Sequence, residues 1–129
     1  MQSHQSAEDY LETILMLTQR MGKVRSIDVV NELGFTKASV SIAMKKLREN
    51  GYIAVDGEGN LTLLEPGREI AERIYSRHRL LTHFFVQLGV DEKTAAEDAC
   101  KAEHILSEQT LEKIRESALQ ADAEQNDPE

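Results

Sequence analysis

The sequence predicts a mainly α fold in which three helices and a β-hairpin precede a second, helical domain. Three observations support this prediction. The 129 residues include only 2 prolines, apolar residues recur at the spacing of amphipathic helices over most of the chain, and two short β-prone runs flank a turn within residues 52–64. The length suits one compact unit or two small substructures. We place the division between residues 1–65 and residues 66–129.

The first helix is predicted over residues 6–22. Ser6 is a suitable N-cap, and Gly22 is expected to end the helix. An apolar stripe at helical spacing is expected to face the core, and it consists of Tyr10, Ile14, Leu17 and Met21.

Two further helices and a hairpin complete the N-terminal domain. We expect Ser26 to cap a short second helix that ends at Gly34, and Thr36 to cap a third helix that ends at Gly51. Two short helices joined by a tight turn form a helix-turn-helix pattern. The β-prone runs that follow surround Asp56 and the glycines beside it, which predicts a hairpin. A hairpin directly after a helix-turn-helix is a wing, so residues 1–65 are predicted to be a winged helix-turn-helix.

Residues 66–129 are predicted to form three more helices. Pro66 suits a first helical turn, and a helix is expected to run from it to about Leu88. A second helix is predicted from Glu92 to about Leu106. Ser107 is expected to cap the last helix, whose inward residues are predicted to be Leu111, Ile114 and Leu119.

The charge is distributed unevenly along the chain. The formal net charge is −8, and it comes entirely from residues 91–129, whereas residues 1–90 are neutral. Residues 36–50 hold four basic side chains against Glu49 alone. A basic surface on an acidic molecule is compatible with phosphate binding. No apolar run approaches the ~20 residues of a membrane span, and we expect a cytoplasmic protein.

The predicted third helix is the candidate DNA-reading element. In a helix-turn-helix, the N-terminal turn of the second helix enters the major groove. The alternative is a helical packing unit with no nucleic-acid function. We expect the side chains that reach bases and phosphates to be Thr36, Lys37, Ser39 and Ser41. The other members of the predicted DNA-binding set are Ser26, Lys45 and Lys46.

A second group of polar residues has the composition of a metal site. Cys100, Glu103 and His104 have the spacing i, i+3, i+4, which places a thiol, a carboxylate and an imidazole on one helix face. Three ligands from one helix do not close a site, so others must come from elsewhere. The candidates are His78 on an apolar stripe and the acidic pair Asp9 and Glu12. His78 is equally compatible with a core histidine bonded to a carbonyl, and the acidic pair alone is more often a solvated surface.

Four segments together resemble the diphtheria toxin repressor family of metal-dependent transcriptional repressors. They are SAEDYLETILML, SIDVVNELGFTKASVSIAMKKLRENGYI, ERIYSRHRLLTHFF and EDACKAEHILSE. The likeness extends from about residue 4 to residue 120 and is to the short branch that includes the manganese transport regulators. It implies that the second domain is a metal-binding and dimerisation domain.

The resemblance also implies a ligand set. Five positions match metal ligands of manganese-responsive relatives, and they are Asp9, Glu12, His78, Glu103 and His104. Cys100 matches the iron-responsive relatives instead, whereas those relatives usually have methionine at the position of Asp9. The expected ion is therefore Fe(II) or Mn(II), and the thiolate favours Fe(II). Zn(II) and Co(II) are expected to bind in vitro as well.

We therefore expect a metal-activated homodimer that represses metal-uptake genes. In this mechanism the ion bridges the DNA-binding and dimerisation domains and fixes the two reading helices at the spacing of a palindromic operator in double-stranded DNA. The dimer surface is predicted to include Leu106, Leu111 and Ile114. An alternative is a winged-helix regulator that answers to a small molecule, without a regulatory metal. An enzyme is not expected, because the sequence has no phosphate loop and no nucleophile paired with a base.

Overall fold

The structure, a computed structural model, describes residues 4–125, with side chains from residue 6 to residue 123. Its elements in chain order are α1 (His4–Met21), α2 (Ser26–Leu33), α3 (Lys37–Glu49), β1 (Ile53–Val55), β2 (Leu61–Leu63), α4 (Glu65–Gln87), α5 (Glu92–Ala102) and α6 (Glu108–Gln125). The chain forms two compact units. The first ends at Arg73 and the second begins at Ile74, so α4 contributes to both.

The first unit is a winged helix-turn-helix, as predicted. Helices α1, α2 and α3 pack against one another, and the hairpin contacts α1 and α3. In the hairpin, β1 and β2 are antiparallel, with Ile53 opposite Leu63 and Val55 opposite Leu61. Apolar side chains from all of these elements form the core, which includes Leu11, Ile14, Val24, Val29, Val40, Met44, Leu47, Ile53 and Leu61.

Local backbone chemistry fixes the turn between α2 and α3. Gly34 adopts a left-handed conformation with φ of 72°, and its N–H donates to the Val30 carbonyl. Thr36 then caps α3, because its hydroxyl accepts a hydrogen bond from the Ser39 N–H at 3.1 Å. The two predictions for this turn, a glycine end and a threonine start, are both confirmed.

The second unit contains the rest of α4 together with α5 and α6. One residue from each helix forms a buried cluster of Leu81, Ala99 and Leu111. Partly buried apolar side chains surround it, namely Leu80, Phe85, Ala102, Leu106 and Ile114. Ser107 caps α6 as predicted, since its hydroxyl accepts from the Thr110 N–H at 3.1 Å. In the part of the chain that the structure describes, no helix has the length and apolar character of a membrane span.

Several local predictions are wrong. The helix α1 begins at His4, so Ser6 lies inside it rather than at its cap. Ser26 is the first residue of α2, and Arg25 occupies the cap position, where its N–H donates to the Asp28 carboxylate at 2.9 Å. Met21, at the end of its helix, is exposed rather than buried.

The predicted inward face of α6 also needs correction. Leu119 is exposed, whereas Ala118 beside it is buried. Leu111 belongs to the unit's own core, so the prediction that it contributes to a dimer surface is wrong. The helix turns Leu111 and Ala118 inward because they are seven residues apart, which is close to two full turns.

Candidate metal centre and nucleic-acid interface

The helix α5 ends earlier than its sequence pattern suggests. It stops at Ala102, and residues 103–106 form turns, so the prediction of a helix to Leu106 is wrong. Cys100 lies in the last turn of α5, Glu103 is the C-cap residue, and His104 follows the helix. Leu106 packs beside the core cluster of the second unit, and α6 begins two residues later at Glu108.

Glu103 is a buried carboxylate with an imidazole on each side. Its side chain is 0% exposed. His78 Nδ1 lies 3.2 Å from Glu103 Oε2, and His104 Nε2 lies 3.5 Å from Glu103 Oε1. The side chain of His104 is 3% exposed and that of His78 is 20% exposed. The structure thus brings together three of the predicted ligands, although His78 and Glu103 are distant in sequence.

This arrangement is suited to a positive charge. A carboxylate loses several kcal/mol of hydration when it is buried, and a bound cation between carboxylate and imidazoles compensates for that loss. Imidazole nitrogen and carboxylate oxygen are both ligands of first-row divalent ions. The donor set in the second unit therefore suits such an ion.

Arg77 holds the turn that carries Glu103, and it was not among the predicted site residues. Its guanidinium donates to the Glu103 backbone carbonyl at 3.4 Å and forms an ion pair with Glu108. A cation at the C-terminal end of a helix satisfies carbonyls that have no partner within the helix. The only sign in the sequence is that Arg77 directly precedes His78, which was already a candidate ligand.

The remaining predicted ligands occupy different environments. Cys100 is an exposed thiol, one helical turn before Glu103. In the first unit, Asp9 is partly buried and Glu12 is buried, and both belong to α1. Between them lies Tyr10, whose pKa is raised by burial and by the negative charge of Asp9. A buried carboxylate at Glu12 is unusual for a surface helix of a small protein.

The exposed face of α3 carries most of the predicted DNA-binding residues. Lys37, Ser41, Lys45 and Lys46 are all exposed, while the opposite face of the helix is buried in the core. Lys45 Nζ lies 4.0 Å from Glu49 Oε1, and a solvent-exposed ion pair of this kind contributes little to stability. The amines of Lys45 and the other exposed lysines of α3 therefore remain available to phosphates.

The wing has a rigid, acidic tip. Asp56 accepts hydrogen bonds from the N–H groups of Asn60 and Glu58 at 2.8 and 2.9 Å, and from the Asn60 side chain at 3.0 Å. These bonds, chiefly those from Asn60, lower the pKa of Asp56. The guanidinium of Arg25 lies against Gly59, so a cation covers one side of the acidic turn.

Two family models match the chain and together cover most of it. The model of the iron-dependent repressor N-terminal DNA-binding domain matches residues 3–61. That of the iron-dependent repressor metal-binding and dimerisation domain matches residues 64–122. The chain belongs to the iron-dependent repressor family. The predicted resemblance and the predicted fold class are both confirmed.

Relatives in this family are named as transcriptional regulators. An uncharacterised helix-turn-helix regulator of Methanocaldococcus jannaschii is 38% identical over 113 residues, which are 86% of this chain and 90% of that protein. The regulator MntR of Lysinibacillus sphaericus is 33% identical over 109 residues, 84% of this chain and 78% of that protein.

A solved manganese-dependent transcriptional repressor in complex with manganese superposes with a TM-score of 0.80 at 29% identity. The match covers 87% of this chain but only 52% of that one, so this chain spans about half the length of the solved protein. The family to which the chain belongs is thus one of metal-dependent transcriptional repressors, with a DNA-binding domain followed by a metal-binding and dimerisation domain.

Proposed function

We propose that the protein represses metal-uptake genes when Fe(II) or Mn(II) binds at Glu103, and that it acts as a homodimer on a palindromic operator. The observation that supports this most directly is the complete burial of Glu103 between His78 and His104. A fully buried ion pair adds little net stability, because the loss of hydration offsets much of the attraction between the two charges. Such a group is better explained by a ligand that binds there.

In the proposed site, the ion takes oxygen, nitrogen and sulfur ligands from both ends of the chain. His78, Glu103 and His104 supply the cluster described above. Further ligands are assigned to Cys100, Asp9 and Glu12. Three carboxylates at one site would repel one another in the absence of metal, and a divalent ion would replace this repulsion with attraction.

The proposed consequence is a clamp between the DNA-binding domain, residues 1–65, and the dimerisation domain, residues 66–129. Bound metal restricts the two domains, and operator DNA favours the same restricted state. Thermodynamic reciprocity then requires that operator DNA tighten metal binding by the same factor by which metal tightens DNA binding.

The donor set also bears on which ion acts in the cell. Carboxylates and imidazoles suit Mn(II) and Fe(II) alike, whereas the Cys100 thiol favours the softer Fe(II). We propose Fe(II) as the activating ion, with Mn(II) as the second candidate. Zn(II) and Co(II) are expected to bind the purified protein, since affinity alone does not decide which metal is used in the cell.

Two histidines of α4 provide a matched test. His78 contacts Glu103, whereas His83, on the same helix, is half exposed and pairs with Asp122 at 3.1 Å. We expect His78→Gln to abolish the increase in DNA affinity on addition of Fe(II) or Mn(II) under anaerobic conditions. DNA fragments selected from a random library by the natural protein serve as the probe.

The control variant His83→Gln should keep the metal response, because His83 is no part of the proposed site. Equal responses in the two variants would contradict the assignment of the metal to the Glu103 cluster. A natural protein whose DNA affinity is the same with metal and with chelator would instead favour a regulator that responds to another ligand.

A further inference from the structure

The outward face of α3 presents an apolar side chain that the sequence analysis did not select. Ile42 is 55% exposed, although it lies in the middle of the helix. The core-facing residues of α3 are Val40, Ala43, Met44 and Leu47. At 100° per residue, Ile42 points nearly opposite to the mean direction of these four.

The residues around Ile42 on this face distinguish it from an ordinary exposed apolar residue. Ala38 lies one turn before it and Lys45 and Lys46 lie one turn after it, and all three are exposed. The centre of the face is therefore apolar, and two lysines followed by Glu49 lie on its C-terminal part. Single exposed isoleucines are common on protein surfaces, but this one lies on the helix to which the proposed function assigns DNA reading.

The hydroxyl groups near the start of α3 are partly used within the protein. The Thr36 hydroxyl accepts from the Ser39 N–H at 3.1 Å and donates to the Ser39 hydroxyl oxygen at 2.9 Å. The Thr36 hydroxyl therefore already uses its single proton and one acceptor site within the protein. It is less able to form a hydrogen bond with a base edge, so base selection depends more on the residues that follow it.

We propose that Ile42 is a specificity-determining residue that contacts the C5-methyl group of a thymine in the major groove. This inference rests on the proposed function. The thymine methyl is the apolar group that the major groove displays, and apolar side chains read it by contact. Ile42 has no donor or acceptor, so it cannot select guanine, adenine or cytosine by hydrogen bonding.

The two lysines and Ala38 support this placement. A small side chain at Ala38 allows the N-terminal half of α3 to approach the base edges closely. Lys45 and Lys46 then lie one turn further along, where their long side chains can reach phosphates at the edge of the groove. In this arrangement phosphate contacts position α3, and Ile42 provides base selection.

The test removes the methyl group from the DNA and the side chain from the protein. Binding sites are first selected from a random duplex library by the natural protein with Mn(II) or Fe(II). Each thymine of the selected site is then replaced in turn by uracil, which has the same hydrogen-bonding edge but no C5-methyl group. Loss of one buried methyl group should weaken the affinity of the protein for the DNA about fourfold.

We expect one thymine in each half-site at which uracil weakens binding about fourfold, and we expect Ile42→Ala to bind thymine and uracil equally at that position. A second variant, Ile42→Gln, should select adenine there in a repeated selection, since glutamine pairs with the adenine edge. Neither variant should lose folding stability, because the side chain is exposed.

The control Ile105→Ala removes an exposed isoleucine from the second unit and should leave the uracil pattern of the natural protein unchanged. If Ile42→Ala retains every uracil effect, the inference is wrong while the proposed function stands. If no DNA sequence is selected with either metal, the proposed function fails and the inference fails with it.

Discussion

Replacing Glu103 with glutamine should remove most of the stability that the protein gains from a divalent ion. Glutamine has nearly the same shape, but it carries no charge and its amide nitrogen cannot bind a cation. A ligand that binds only the folded state at 100 times its Kd stabilises that state by about 2.7 kcal/mol. The natural protein should show this gain with Mn(II).

The size of the loss follows from the burial of the carboxylate. Glu103 is 0% exposed, so water does not screen its attraction for the ion. Removal of one partner of a buried charge pair costs about 3–5 kcal/mol, which exceeds the about 2.7 kcal/mol of two decades in Kd. With Kd raised at least about 100-fold, the gain at the same metal concentration falls to about 0.4 kcal/mol or less.

Urea unfolding followed by circular dichroism, with Mn(II) or with chelator, measures this difference. The control is Glu97→Gln, which neutralises an exposed carboxylate on α5 and should keep the full gain. Equal metal-dependent stabilisation of Glu103→Gln and the natural protein would refute the reasoning, because the buried carboxylate would then not be a ligand.

Three further predictions concern the folded chain without metal or DNA. Thr36→Ala should lower the free energy of unfolding by about 1 kcal/mol through loss of the α3 cap, whereas Thr36→Ser should keep the stability of the natural protein. Equal urea midpoints for the natural protein and both variants would show that the cap contributes nothing. Leu111→Ala should cost about 2–5 kcal/mol by leaving a cavity in the second unit, against at most about 0.5 kcal/mol for the exposed Leu119→Ala; similar losses would place Leu111 outside the core. Hydrogen bonds from the backbone N–H of Thr94 and then from its hydroxyl lower the pKa of Asp91. The natural protein should therefore have a larger free energy of unfolding than Asp91→Asn. This difference should be complete above about pH 4 and should decrease as the pH falls through the lowered pKa. A difference that does not change with pH in urea titrations would contradict this.

Elements with strong local signals were predictable from the sequence. Thr36 and Ser107 cap their helices as expected, because a side-chain hydroxyl and the N–H three residues later interact within one turn. The hairpin followed from its turn residues in the same way. Such signals depend on near neighbours in the chain, so one sequence is sufficient to find them.

Element ends set by tertiary packing were not predictable. The pattern through Leu106 continues at helical spacing, yet α5 ends at Ala102, and the turn that follows is held by the contact of Arg77 with the Glu103 carbonyl. Met21 and Leu119 fit apolar stripes but lie beyond the area that their neighbours cover. Periodicity gives the direction of a side chain and not the extent of the surface that buries it.

The candidate site was predicted only in part for the same reason. The residue types and the spacing of Cys100, Glu103 and His104 indicated a metal, and His78 was a candidate because an imidazole lies on an apolar stripe. The contact of Arg77 with the Glu103 carbonyl joins residues 26 apart, and no local pattern indicates it. Ile42 was not among the predicted residues because only polar side chains of α3 were considered, although apolar side chains can also contact bases in the major groove.

The most direct test of the central claim is a crystal structure of the protein with Mn(II), with anomalous diffraction used to locate the ion. We expect an anomalous peak at bonding distance from a Glu103 carboxylate oxygen and from ring nitrogens of His78 and His104, as for a first-row divalent ion. An ion bound elsewhere, with Glu103 still in direct contact with both imidazoles, would contradict this expectation.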